Sequence, residues 1–281
     1  MLQTGLFFAG SVFLEQGQRQ PMETLWREAA ALGERASQAN ARLQGMALLA
    51  LLATLAGRLE EAAAIGKRAA ALGEELGLAT FGRVYCAVGS GRAFIHLGRA
   101  EELLANTADV SAQTLCLAHL GQAEEARALL DKLVVRRPGI GSEQDETWLG
   151  HDCLYLEAAV LVEHREAAAL LLERLGERPQ PVSDWLRPTC PARHLGAAAA
   201  LLGERETAHR FTAQALRDAQ QVQFRPEIAL THLQLAELLA GGDRDQVEAR
   251  EHLDAALPEF EAMGMPPALE RARQLQERLG A

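Results

Sequence analysis

The chain has 281 residues, of which 48% are hydrophobic and 23% charged, as in an ordinary soluble protein. Its formal net charge of −10 argues against nonspecific binding to nucleic acids or acidic membranes, because both require clustered positive charge. The longest apolar runs are shorter than the roughly eighteen residues of a membrane-spanning helix. The cysteines, at Cys86, Cys116, Cys153 and Cys190, lack paired spacing and indicate reduced thiols in a cytoplasmic protein.

One pattern recurs from the N-terminus onwards. A leucine-rich helix ends in a turn, and a small residue followed by acidic residues opens the next helix, as in Leu55 to Ala62. The predicted turn positions are Gly17, Gly57, Gly98, Gly121, His164, Gly203 and Gly242. All intervals but one are about forty residues, which predicts stacked helical hairpins. The one short interval predicts a truncated helix from about Arg99 to Ala108.

Small residues recur at fixed distances from these turns. Gly10, Gly91 and Gly196 each lie seven residues before a turn glycine, and Ala50 has the same place in the second unit. Seven residues are about two helical turns, so these positions share a face with the turn. We expect the partner helix to cross closely there.

These small residues, with alanine five and twelve residues after the turn, resemble the tetratricopeptide repeat (TPR). The resemblance covers almost the whole chain, although the usual aromatic positions are poorly filled, with Phe13 and Phe94 the better cases. It implies an all-α, TPR-like α-solenoid of about six to seven hairpins, wound as a right-handed superhelix with a long concave surface. We expect residues 1–281 to form this single solenoid.

From about Cys190 onwards the chain also resembles the C-terminal helical region of large bacterial ATPase-containing regulators. These are LuxR-like and maltose-regulator-like transcription factors, or nucleotide cyclases with ATPase and TPR regions. The segments that carry the resemblance are residues 199–204, 208–211, 215–216, 231–239, 242–245, 249–253 and 264–267. The resemblance implies a role in signalling or transcription regulation. The first turn comes early, which fits a fragment of such a regulator, and a stand-alone adaptor is the alternative.

Two segments interrupt the repeat. Residues 136–143 contain Pro138 and Gly139 and predict a loop, with Ser142 as the cap of the following helix. Residues 176–191 contain four prolines, which forbid a continuous helix. We interpret both as loops within one solenoid, and a subdomain hinge at 176–191 is the alternative.

No catalytic or cofactor signature accompanies the repeat. Gly66-Lys67 is the one Gly-Lys pair, but Glu61 and Arg68 occupy the positions where a phosphate-binding loop needs Gly and Ser or Thr. His151, Cys153, His164, Cys190 and His194 are metal-ligand types without the paired spacing of a zinc site. We therefore expect no enzyme activity, no cofactor, no metal and no ATP binding.

Large aromatic residues concentrate around the two loops. Trp148 and Tyr155 are seven residues apart, which places them on one helix face, and Trp185 lies in the second loop. We predict that a protein or peptide partner binds in the concave groove there, with Arg187 and Arg193 as charged contacts. Two alternatives stay open. The aromatics could simply fill the core, or an enzyme or small-molecule site could lie between loops 136–143 and 176–191.

Overall fold

The computed structural model describes residues 2–142, 144–176, 180–184, 187–240 and 246–280. Within these ranges the chain forms fifteen α-helices and no strand. They are α1 (Leu2–Glu15), α2 (Arg19–Arg35), α3 (Ala39–Leu55), α4 (Leu59–Glu75), α5 (Ala79–His96), α6 (Ala100–Asn106), α7 (Val110–His119), α8 (Ala123–Leu130), α9 (Leu149–Leu161), α10 (Arg165–Gly176), α11 (Pro191–Leu202), α12 (Arg205–Val222), α13 (Arg225–Leu239), α14 (Gln246–Met263) and α15 (Pro266–Gly280). A π-helical turn, Asp131–Val135, extends α8. In this described part, no helix is both long and apolar enough to cross a membrane.

The helices form seven successive hairpins, α1/α2 to α13/α14, followed by α15 as a final helix. Neighbouring helices pack against each other along the chain, as expected for a solenoid. The predicted all-α solenoid of six to seven hairpins is therefore confirmed, as is the truncated sixth helix. The handedness of the superhelix stays a prediction.

One type of turn follows the first helix in most of the hairpins. Gly57 has a φ of +77°, and the N–H of Arg58 donates to the carbonyl of Ala53 at 2.9 Å. This hydrogen bond closes a turn of six residues and satisfies a carbonyl at the end of the helix. It requires the residue before Arg58 to have a left-handed backbone conformation, which glycine adopts readily. The predicted turn glycines Gly17, Gly57, Gly98, Gly121 and Gly203 all have positive φ.

Three predicted details differ or lie outside the described residues. In the fifth hairpin the left-handed residue is Glu163, with φ of +53°, so the predicted turn at His164 is one residue late. The helix after the first loop begins at Leu149 with Trp148 as its N-cap residue, so Ser142 is too distant in sequence to cap it. Gly242 lies outside the described residues.

The small residues before the turns lie at close helix crossings, as predicted. A Cβ atom on Gly10 would lie 2.4 Å from the indole of Trp26, and one on Gly196 would lie 2.4 Å from Thr212 Oγ1. Both distances are far inside van der Waals contact, so the partner helices leave no room for a side chain at these sites. Glycine therefore sets the distance between the two helices of a hairpin.

The two ends of the solenoid also pack against each other. The turn glycines of the first three hairpins, Gly17, Gly57 and Gly98, face Gln221, Met263 and Pro267, respectively. The largest core cluster accordingly combines residues of α3 to α5 with residues of α13 to α15. These contacts partly enclose the inner side of the solenoid, which the sequence predicted only as a long concave surface.

The segment between α10 and α11 is tied to this inner side where it is described. Val182, Ser183 and Asp184 are buried, and the N–H of Ser183 donates to the carbonyl of Thr189 at 2.9 Å. The extent of the single domain and the alternative hinge at 176–191 both stay predictions.

We expect Gly196→Leu to reduce the free energy of unfolding more than Gly203→Ala. Leucine at Gly196 would overlap Thr212 and Gln234, an overpacking that costs roughly 1–3 kcal/mol or more. Alanine at Gly203 meets no atom within 4 Å and only has to adopt its φ of +88°, which costs about 1 kcal/mol. Urea melts of both variants measure the two losses, and equal or reversed losses would contradict the assignment of Gly196 to a close crossing.

Candidate functional site

The first helices of the early hairpins form a groove, called here the apolar groove. Its first depression, with a volume of about 190 Å³, lies between α1, α3 and α5 and includes Phe7, Phe8, Tyr85 and Val88 in its lining. A second depression of about 390 Å³ begins at the same Val88 and continues past Val84 to Asp109, His151 and Arg187. Val88 lines both depressions, so they lie next to each other on α5.

Large apolar side chains on and beside this groove are exposed to solvent. Phe8 is 54% exposed, Val84 46% and Trp148 42%. Trp148 packs edge-on against His151, with ring centroids 5.6 Å apart, so its indole adjoins the second depression. Exposed apolar clusters of this kind on a folded chain mark interaction sites.

A charged pair forms the far end of the apolar groove. The Nη1 atom of Arg187 lies 2.7 Å from Asp109 Oδ2, and the other carboxylate oxygen of Asp109 accepts from the N–H of Ser111 at the start of α7. Burial alone would raise the pKa of Asp109, but the Arg187 guanidinium and Ser111 lower it below its usual value. Asp109 is thus an ionised helix cap that holds Arg187 in place.

The predicted partner-binding residues do not form one group. Trp148 and Arg187 lie at the apolar groove, whereas Tyr155 is only 7% exposed and belongs to a core cluster of the middle hairpins. Arg193 lines a different cavity. Trp185 lies outside the described residues. The core-filling alternative thus fits Tyr155, and the groove hypothesis keeps Trp148 and Arg187.

The cavity that Arg193 lines is called here the polar cavity. It has a volume of about 240 Å³ and lies between α5, α7, α9, α11, α13 and α15. Its polar lining residues are His96, His119, Glu157, Arg193, His194, Gln234 and Arg271. Its apolar lining includes Ile95, Val160, Leu161, Leu230 and Met265. The first helices of the hairpins contribute all of these residues except Met265, which lies directly before α15, and Arg271, which lies on α15.

Two buried carboxylates are paired beside the polar cavity. Arg193 contacts Glu227 with Nε at 2.6 Å and Nη2 at 3.1 Å, and Thr189 donates to the same carboxylate at 2.7 Å. Burial alone would raise the pKa of Glu227, but the Arg193 guanidinium lowers it to about 2. Glu157 is held by Arg92 at 2.5 Å, and despite its burial the Arg92 charge keeps its pKa well below the usual value. Both carboxylates are therefore ionised.

Three imidazoles adjoin these pairs. Burial and the charge of Arg92 lower the pKa of His96 to about 3, and burial and Arg193 lower that of His194 to about 3. The Nε2 atoms of His119 and His194 each lie 3.7 Å from a Glu157 oxygen. Among the described residues, His96 Nε2, His119 Nε2 and Arg92 Nη2 are buried without a hydrogen-bond partner.

Sequence reasoning did not identify Arg92, His96, His119, Glu157 or Glu227. A usable signal was present, because Arg92 and Glu157 are single charged residues in the otherwise apolar segments Ala87 to Ile95 and Leu154 to Leu161. A charge in such a position is costly unless it is paired within the fold. The partner of each charge lies on a helix distant in sequence, so the pairing itself was not visible.

The loop at 136–143 joins a second ionic cluster. Arg137 and Arg174 both contact the buried carboxylates of Asp145 and Asp152, at 2.6 to 3.3 Å. Since these charges compensate one another, the cluster fixes the loop against α9 and α10.

Cys153, next to Asp152 in the chain, is buried, and burial raises the pKa of its thiol, which makes it a poor nucleophile. In the described part of the chain, no group of three or more potential ligands could hold a metal ion.

No protein-family profile and no curated protein sequence matches the chain. Among solved structures, the complex of the TPR2AB domain of yeast Sti1 with pHSP90 matches 99% of this chain and 98% of that chain, with 15% sequence identity and a TM-score of 0.29. A TM-score this low supports no conclusion about fold or ligand. The class of the protein, an all-α solenoid of helical hairpins, follows from its own helices and turns.

We expect Tyr155→Ala to be much more destabilising than Trp148→Ala. Tyr155 is buried among the core side chains of α9 to α11, so its truncation leaves a cavity that costs about 3 kcal/mol or more. Trp148 is 42% exposed, and we expect a loss of about 1 kcal/mol or less. Chemical denaturation of both variants tests this, and a large loss for Trp148→Ala would assign the indole to the core.

We also expect the folded state to lose stability as the pH falls from about 6.5 towards 3. Below pH 6.5 the unfolded chain takes up protons on His96 and His194, whereas the folded chain does so only near pH 3. Stability therefore falls with decreasing pH, by about 1 kcal/mol per pH unit for each imidazole. Glu227 further lowers the stability as the pH falls from its unfolded pKa towards about 2, because the unfolded chain takes up a proton on this carboxylate before the folded chain does.

Urea melts at pH 7, 6 and 5 measure this slope. His96→Gln removes one titrating imidazole, so we expect its stability to depend less steeply on pH than that of the parent chain. His209→Gln is the matched control, because His209 lies outside the polar cavity. A slope that is unchanged in His96→Gln, or reduced equally in His209→Gln, would contradict the depressed pKa of His96.

Proposed function

We propose that this chain is a noncatalytic protein-interaction module that binds an apolar segment of a partner protein in the apolar groove. The observation that carries the proposal is the pair of adjacent depressions that share Val88, with exposed Phe8 and Val84 in their linings and exposed Trp148 beside them. Exposed aromatic residues next to shallow depressions are the groups that commonly anchor protein interfaces.

The two depressions suggest how a segment would bind. Each has room for an apolar side chain, and Phe8, Tyr85 and Val84 would cover its flanks. At the far end, Arg187 Nε is buried without a hydrogen-bond partner among the described residues. That N–H would donate to a backbone carbonyl of the bound segment, which would fix its direction and register. The Asp109 carboxylate already neutralises Arg187, so the segment needs no negative charge there.

The regulatory context is a further part of the proposal. The resemblance of residues 190 onwards to the C-terminal regions of ATPase-containing regulators supports a sensor role in a bacterial signalling or transcription-regulatory system. In such a system the apolar groove would receive a segment of another domain or of a second protein. The self-compensated loop cluster of Arg137, Asp145, Asp152 and Arg174 supports a noncatalytic role over an enzyme site between the loops.

Selection of peptides from a random display library tests the proposal. We expect selected peptides to carry two apolar side chains and to bind the parent chain. Phe8→Glu and Val84→Glu should weaken binding at least about tenfold, because each places a charge at an apolar contact. Trp148→Ala should also weaken it while leaving the protein folded.

Val247→Glu is the matched control, because Val247 is a 68% exposed apolar residue on α14, outside the groove. Equal loss of peptide binding in Val247→Glu would show that binding is nonspecific. Failure to enrich any peptide that competes at Phe8 and Val84 would refute the assignment of the groove.

A further inference from the structure

We propose that the polar cavity is a second binding site, specific for a small uncharged molecule with an amide group joined to a branched apolar group. This proposal does not depend on peptide binding in the apolar groove, because the two sites have no lining residue in common. It rests on the buried polar atoms of the cavity, their charge balance and the shape of its apolar wall.

The unsatisfied groups at the cavity include two nitrogen atoms. His96 is 6% exposed and lines the cavity, and its Nε2 has no partner among the described residues. The Nε2 of His119, also in the lining, lies 3.7 Å from Glu157 Oε1, which is beyond hydrogen-bond distance. The Glu157 carboxylate faces this nitrogen and favours the tautomer that has a proton on it. Leaving such buried groups unpaired costs about 1–3 kcal/mol each, and a ligand that forms hydrogen bonds with them would remove that cost.

The acceptors at the cavity are only partly engaged. The two Glu227 oxygens accept from Arg193 and Thr189, and Glu157 Oε2 accepts from Arg92. No described residue donates a hydrogen bond to Glu157 Oε1 or to Gln234 Oε1. Thr189 Oγ1 also lies 2.7 Å from His194 Nε2, so this imidazole is satisfied too. The cavity therefore has unpaired groups of both kinds, and an amide would satisfy them with its carbonyl and its N–H.

The charges favour an uncharged ligand. Arg92 and Arg193 are balanced by Glu157 and Glu227, and Arg271 at the cavity is paired with Glu237. A carboxylate or phosphate would bring another negative charge next to Glu157, in a chain whose net charge is already −10. An amide forms its hydrogen bonds without this repulsion.

The apolar wall of the polar cavity determines the size and shape of the ligand. Ile95, Val160, Leu161, Leu230 and Met265 present an apolar surface opposite the polar end. The volume of about 240 Å³ is below the roughly 300 Å³ of the smallest common drug-sized pockets, so the ligand is small. The Arg271 side chain is 53% exposed, which places the opening of the cavity on its side.

N-acetyl-L-leucine methylamide is a suitable probe, because it joins amide carbonyls to a branched apolar side chain. N-acetyl-L-leucine is its matched partner, identical except for a terminal carboxylate. In a nuclear magnetic resonance titration of the full chain, we expect the methylamide to shift the imidazole signals of His96 and His119 in a saturable way. The carboxylate should bind about tenfold more weakly.

His96→Leu should weaken binding of the methylamide by about tenfold, the effect of losing one good buried hydrogen bond. Ala197→Met should also weaken it by filling the cavity from its α11 wall, which provides a second variant if His96→Leu folds poorly. His209→Leu is the control and should bind as the parent does.

Three results would overturn the proposal: both imidazoles unshifted by the methylamide, the carboxylate bound as tightly as the amide, or as large a loss of affinity in His209→Leu as in His96→Leu. Each of these results concerns only the polar cavity. Peptide selection at Phe8 and Val84 remains a separate measurement, so failure of one site is distinguishable from failure of the other.

Discussion

The inner side of this solenoid depends on the pairing of two buried carboxylates. Glu157 and Glu227 would each be costly to bury alone, and Arg92 and Arg193 compensate them. The Arg92–Glu157 pair joins α5 to α9, and the Arg193–Glu227 pair joins α11 to α13. Breaking such a pair leaves an uncompensated charge and typically costs about 3–5 kcal/mol. These pairs therefore fix how the inner helices stand relative to one another and prevent the space between them from collapsing into an apolar core.

The small residues at the helix crossings provide the second constraint. With Gly10 against Trp26 and Gly196 against Thr212, the first and sixth hairpins have no room for a side chain at their crossings. The turns at Gly57 and Gly98 contact α14 and α15, and the early and late hairpins share one core cluster. The polar cavity lies where α5 meets α15, beside α13, and it exists because the ends of the array meet there.

The sequence predicted the fold best where a structural feature depends on only a few neighbouring residues. Turn glycines and crossing glycines follow from backbone and side-chain volume, so Gly57 and Gly196 could be placed correctly. The turn at Glu163 was misplaced by one residue because no glycine identifies it. The candidate site was predicted less well, since aromatic residues alone do not distinguish exposed Trp148 from buried Tyr155. The polar cavity was missed because its residues come from six helices, and only the closure of the solenoid brings them together.

Helix α5 connects the two candidate sites. Val84, Val88, Arg92 and His96 follow one another at four-residue intervals, so they lie on successive turns along one side of the helix. Val84 and Val88 line the apolar groove, Arg92 holds Glu157, and His96 lines the polar cavity. The Nε of Arg92 also donates to the carbonyl of Arg187, whose side chain forms the charged end of the groove. Helix α5 and Arg92 are therefore common to the surroundings of both candidate sites.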